Sequence, residues 1–162
     1  MPSANDMQVG GNHYASSNDY KHWDWVLDMR LGYLEGQVTK YVLRWRGKAG
    51  LQDLQKALHY NTKLMENWRR LARTVIPAPD VVRACTSRLA AGTNMLPEEI
   101  DICSVMAGWQ TNLDLMDVHD MITHLMEQVD ATDAPEPVLA DPEPVPLEDS
   151  NKHADRFNYG DK

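Results

Sequence analysis

The chain has little cysteine: Cys85 and Cys103 are the only two in 162 residues. They lie far apart and match no metal-ligand spacing, so they read as small buried apolar groups. No apolar run is long enough to span a bilayer, and no secretory signal pattern opens the chain, so the expected setting is a reducing cytoplasm. Period-two alternation of apolar and polar residues is missing throughout, which leaves an all-α fold as the expected class. Also missing are a G-x-x-x-x-G-K-[ST] loop with its preceding strand, a G-x-S-x-G elbow, an H-E-x-x-H pair and a Cys-x-x-Cys pair. Their absence excludes the P-loop kinase architecture and the common hydrolase and zinc-site signatures.

What is present is one modest core and an uneven distribution of charge. At 43% hydrophobic residues, 162 positions suffice for one domain with a tail. The net charge of -8 argues against a general nucleic-acid binder. That total hides a contrast: up to Ile76 there are 11 Lys/Arg against 7 Asp/Glu, and from Pro77 onward 5 against 17.

Residues 1–19 read as an irregular arm in which Gly10-Gly11 can approach a ligand closely and is followed by His13 and Tyr14. An amphipathic helix is expected from Tyr20 to about Arg30, with Asp19 as N-cap and Gly32 as stop. The next helix, about Leu34 to Trp45, has one apolar stripe of Leu34, Val38, Val42 and Trp45. After the turn Arg46–Gly50, a helix from Leu51 to about Ala72 carries the seam Leu51, Leu54, Leu58, Met65, Trp68 and Ala72, interrupted by Asn61. So short a connection predicts an antiparallel hairpin. Further helices are expected over Asp80–Ala91, Pro97–Gln110 and Asn112–Val129. From residue 130 the Pro/acid composition predicts a disordered tail, whose last dozen residues read more readily as a plain end than as a docking motif. This divides the chain into a helical module at 1–76, an accessory helical region at 77–129 and a tail at 130–162.

The segment Gly36–Tyr60 concentrates the chemistry. Lys40, Arg44, Arg46 and Lys48 fall within nine residues, with Tyr41 and Trp45 among them and Asp53 and Lys56 on the following helix. Gln37, Lys40, Tyr41 and Arg44 share a face beside the apolar stripe. Guanidinium forks and lysine point charges bind phosphate oxygens, and phosphoryl transfer needs charge stabilisation and positioning more than covalent chemistry. The segment is read as a site for a phosphorylated small molecule, a nucleotide above all. The plain alternative is a solvated basic face paired with Asp53 and Glu66. Asp114, Asp117 and Asp120 with His119 and His124 look like metal ligands on paper, but acids near a helix start commonly complement the macrodipole, so no metal site is assigned.

The runs QVGGNHY, HWDWV, LGYLEGQVTKYVLRWRGKAG and DLQKALHY resemble a family of small tailed-phage proteins described as nucleotide kinase-like, after a podovirus nucleotide kinase that shares the module. The resemblance covers roughly residues 8–66. By position, the family's His-Tyr pair falls on His13 and Tyr14, its Lys-Tyr-x-x-Arg helix on Lys40, Tyr41 and Arg44, and its basic turn on Arg46, Gly47 and Lys48. Its Asp-Leu-x-Lys-Ala helix falls on Asp53, Leu54, Lys56 and Ala57. Gln37 replaces a frequent asparagine and Asn61 a frequent aliphatic residue.

The resemblance implies a phage nucleotide kinase in the host cytoplasm. It would transfer a phosphoryl group from ATP or another nucleoside triphosphate to a deoxynucleoside monophosphate. Arg44, Arg46 and Lys48 would clamp the transferring phosphates, and Lys40 and Lys56 the acceptor phosphate. Tyr41 or Trp45 would stack on the base, Tyr14 and Gln37 would contact substrate, and Asp53 or His13 would orient or deprotonate the acceptor. Participation of Mg2+ is left open. The alternative is a non-catalytic protein that sequesters a nucleotide, and a nucleic-acid-binding module ranks last. Trp23, Trp25, Trp45 and Trp68 exceed what two helices can cover, which predicts a homo-oligomer built on the hairpin.

Overall fold

A computed structural model describes residues 19–133, and it is all-α. Its six α-helices are α1 (His22–Asp28), α2 (Tyr33–Arg44), α3 (Leu51–Leu71), α4 (Pro79–Thr93), α5 (Pro97–Gly108) and α6 (Asn112–Asp133), with a 3-10 turn at Trp45–Gly47. The arm with Gly10, Gly11, His13 and Tyr14, and the tail from residue 134, lie outside the described residues. Helix α6 runs four residues past the expected end at Val129.

The first helix is shorter than its sequence suggests, for reasons visible at both ends. Lys21, not Asp19, is the N-cap residue, and its amide donates to Asp24 Oδ2 at 2.8 Å. The stop comes at Arg30 instead of Gly32. Arg30 adopts φ 53°, its amide bonds Leu27 O, and the Leu31 amide reaches back to Val26 O. This is a Schellman closure with arginine where glycine is usual. Gly32 instead caps the start of α2.

Helices α2 and α3 form the expected antiparallel hairpin: Arg44 meets Asp53 at the turn, while Tyr33 meets Tyr60 further out. The turn needs glycine at one place, Gly50, which takes φ 51°. On α3 the buried line is Leu54, Ala57, Asn61 and Leu64, with Leu58, Met65 and Trp68 at its flanks. The expected seam was therefore displaced to one side, because two helices, α2 and α6, pack on α3. Asn61 belongs to the buried line: its Nδ2 donates to Leu115 O of α6 at 2.8 Å, tying the two helices.

Helix α5 is apolar on more than one side and sits between two cores. Ile102, Met106 and the following Trp109 join Val38, Val42, Leu54, Leu64, Leu115, Val118, Ile122 and Leu125. Cys103 and Ala107 join Tyr20, Trp25, Met29, Val82 and Leu89. Both cores draw on helices from either side of Pro77. The tryptophans expected to need a second copy are largely covered within the chain. Trp25 is fully buried, Trp45 and Trp68 pack against the main core, and only Trp23, 48% exposed, stays substantially open. The aromatic surplus that argued for self-association is thus met by α4, α5 and α6.

Among the described residues no helix is long and apolar enough to cross a membrane.

Candidate functional site

The last turn of α2 and the first turns of α3 bring the expected residues together, since the short connection forces the two ends side by side. Arg44 makes a two-pronged contact with Asp53, Nε to Oδ2 and Nη2 to Oδ1, each 2.9 Å. Lys56 Nζ approaches the same Oδ1 at 3.3 Å. Asp53 is fully buried. Burial alone would raise its carboxyl, but the hydrogen bonds and charges of Arg44 and Lys56 outweigh it and hold it below the ordinary carboxylate range.

Tyr41 is the centre of the cluster. The Arg44 guanidinium lies 4.4 Å from its ring centroid, and the Lys40 and Lys56 ammonium groups each lie 5.6 Å from it. Tyr60 of α3 stacks on Tyr41 with centroids 5.7 Å apart, and Tyr33 meets Tyr60 edge-on at 6.2 Å. Gln37, half-buried, stands on the same face of α2, one turn from each of Tyr33 and Tyr41. Lys40 has no carboxylate partner among the described residues. Three cations and one carboxylate leave a surplus of positive charge on a half-exposed aromatic surface.

Arg46 does not belong to this cluster. Its side chain turns to α5, where Nε and Nη2 donate to Glu99 at 3.0 and 2.9 Å and Nη2 also donates to Asn94 O at 2.7 Å. Glu99, 1% exposed, accepts in addition from Trp45 Nε1 and from the Leu96 amide, each at 2.9 Å. The expectation that Arg46 clamps phosphate is corrected by this pairing, and Trp45, held by its indole N–H, is corrected as a base platform. Lys48 is exposed in the turn and joins neither group. Asp53 is corrected as a proton acceptor: both of its oxygens are engaged by cations and it is shut off from solvent.

Sequence reasoning passed over Glu99, Tyr33 and Glu35. Glu99 reads as a first-turn acid of α5, and nothing local reveals that it receives a side chain from 53 residues away. Tyr33 was detectable, since Tyr33, Gln37 and Tyr41 follow i, i+4, i+8 spacing. Glu35 is buried and accepts from Trp109 Nε1 at 3.3 Å. Nearby, Arg73 donates to the carbonyls of Met29 and Ala107, tying the end of α3 to α1 and α5. His22, given no role from sequence, lies against the site: its Nε2 is 2.9 Å from Thr39 Oγ1. Thr39 Oγ1 also lies 3.1 Å from Glu35 O. Burial, and secondarily Lys40, pushes the imidazole down to about 4.

Among the described residues the acids of α6 form no metal cluster. Asp114 accepts from the amides of Gln110 and Thr111 and from the Thr111 hydroxyl, closing the start of the helix. Among the described residues no three Asp, Glu, His or Cys side chains converge. A separate open concavity of about 600 Å³, mainly apolar, lies between Ile76–Pro79, α4 and α5, and none of the basic cluster lines it. Comparison with family models, curated proteins and solved structures returns no match for this chain.

Proposed function

We infer that the chain is a nucleotide kinase whose Lys40–Tyr41–Arg44–Lys56 cluster holds the phosphate of a deoxynucleoside monophosphate while a nucleoside triphosphate supplies the transferred group. One observation carries this reading: three cations from two helices converge on one tyrosine ring, and among the described residues Asp53 is the carboxylate seen between them. The surplus charge suits a phosphate dianion. The resemblance of residues 8–66 to the phage nucleotide kinase-like family supplies the reaction.

The engagement of Asp53 by two cations is compatible with this chemistry, which needs no base. The acceptor is a monophosphate oxygen, already ionised at neutral pH because its second proton leaves near about 6. That oxygen attacks the γ-phosphorus, the bond from γ-phosphorus to the bridging oxygen breaks, and the products are two nucleoside diphosphates. Asp53 then serves to set the Arg44 fork and the Lys56 ammonium. These residues do not fit a magnesium site, since the Asp53 oxygens are both taken by cations, and no step is assigned to a metal here.

A second reading, binding without turnover, is favoured by the same commitment of Arg44 and Arg46 to carboxylates, which reduces the charge left for a triphosphate. Incubating the full chain with ATP, magnesium and each deoxynucleoside monophosphate, then separating products by chromatography, tests both. Diphosphate formed from at least one monophosphate, and lost in Lys40→Ala, supports the kinase. Binding seen by calorimetry with no product supports the second reading. Neither binding nor product rejects the site.

A further inference from the structure

Both residues expected to stack on a base are occupied. Tyr41 has the Tyr60 ring on it at an interplanar angle of 12° and the Arg44 guanidinium 4.4 Å from its centroid. Trp45 is half-buried and bound to Glu99. Among the described residues of this face the open aromatic is Tyr33, 70% exposed. Its ring meets that of Tyr60 at an interplanar angle of 82°, its hydroxyl is raised mainly by a hydrogen bond with Tyr60, and the Lys40 charge is near enough to pull against that shift. From the cations outward the order is therefore Lys40, Arg44 and Lys56 about Tyr41, then Tyr60, then Tyr33.

We propose that Tyr33 is the base platform of the cation cluster, so that a nucleoside monophosphate lies along α2 with its base on Tyr33 and its phosphate at Lys40 and Lys56. This rests on the phosphate site assigned above and adds what that assignment lacks, a group that distinguishes a nucleotide from any other phosphomonoester. Helical geometry supports it. Tyr33, Gln37 and Lys40 climb one side of α2 at intervals of four and three residues, two turns in all. A mononucleotide, with one sugar between base and phosphate, spans that interval, and Gln37 then faces the sugar. An aromatic platform that is held edge-on by a neighbour is already oriented, so little ordering is lost when a base settles on it. Because every base has a π-face, the platform itself confers affinity for nucleotides without choosing among them.

The test compares binding of the four deoxynucleoside monophosphates with binding of deoxyribose 5-phosphate, by calorimetry on the full chain. In the wild type the nucleotides bind more tightly than the sugar phosphate. Tyr33→Ala weakens nucleotide binding about tenfold, the scale of one aromatic–base stack, and leaves the sugar phosphate within about twofold. Tyr33→Phe keeps nucleotide affinity, since the ring and not the hydroxyl makes the contact. Equal wild-type affinity for nucleotide and sugar phosphate, or an equal loss of both in Tyr33→Ala, overturns this inference while leaving the phosphate site standing. A wild type that binds neither ligand overturns both.

Discussion

Arg44 and Arg46 stand two residues apart, and each ends on a buried carboxylate, yet the two surroundings differ. Around Arg44, counting the described residues, one acid faces three cations on an aromatic surface. Around Arg46, Glu99 collects a guanidinium, an indole N–H and a backbone amide, and the charge balances. The first region is equipped to take an anion; the second closes α5 against the basic turn. A run of basic residues in a sequence can thus divide into a tie and a site, and the number of acids that reach each part decides which is which.

Substitutions can break this contrast, and the largest effect is expected where the acid is most buried. Arg44→Ala leaves Asp53 fully buried with only Lys56 against it, and should cost about 3 kcal/mol of stability, at the low end for a broken buried pair. Urea melts would read this loss, and a stability near wild type would mean that Arg44 is free to serve a ligand alone. Glu99→Ala should cost less, about 2 kcal/mol, because Arg46 is 34% exposed and can be rehydrated while Trp45 and Leu96 lose an acceptor. Phosphate binding should survive that change. Equal loss of binding and stability in Glu99→Ala would merge the two regions into one.

Lys40→Ala should show the opposite pattern. Stability stays within about 0.5 kcal/mol of wild type, as for a substitution that breaks no buried pair, while monophosphate affinity falls roughly tenfold, about 1.4 kcal/mol. Unchanged affinity would return the cluster to a solvated basic face.

The smallest effect is the one Lys40 has on the pH dependence of stability. An unfolded imidazole takes its proton near 6.5, but folded His22 does so only near 4, so the unfolded state holds more protons in between. Stability therefore declines as pH falls from about 6.5 towards 4. Burial is the larger cause and Lys40 the smaller, so Lys40→Ala should soften the decline without removing it. Melting curves of wild type and variant with the same pH dependence would show that Lys40 does not act on His22.

Much of the architecture was legible. Pro97 marks a helix start, Gly50 marks the hairpin turn, and the 3.6-residue apolar repeat locates each long helix to within a few residues. The boundary at Arg30 was not legible, because a non-glycine residue took the left-handed stop. Asn61 stood out as a polar break in an apolar seam, but its reason, the Leu115 carbonyl, belongs to a helix more than fifty residues on. The cation cluster was legible as composition, and its helical face as spacing.

Local order is what sequence alone determined here: the all-α class, the hairpin and the crowding of Lys40, Tyr41, Arg44, Asp53 and Lys56 about one turn. These depend on periodicity, on glycine and proline, and on residues close enough in the chain for a short turn to join them. Tertiary structure alone decided which charges stay available. Arg46 is withdrawn by Glu99, Asp53 is buried beneath Arg44 and Lys56, and Tyr41 is covered by Tyr60, which leaves Tyr33 as the open ring among the described residues of this face. Each depends on how α2 and α3 settle against each other and against α5. The pairing of a charge is set by which carboxylate the packed core brings within hydrogen-bonding distance, and no local pattern encodes that distance.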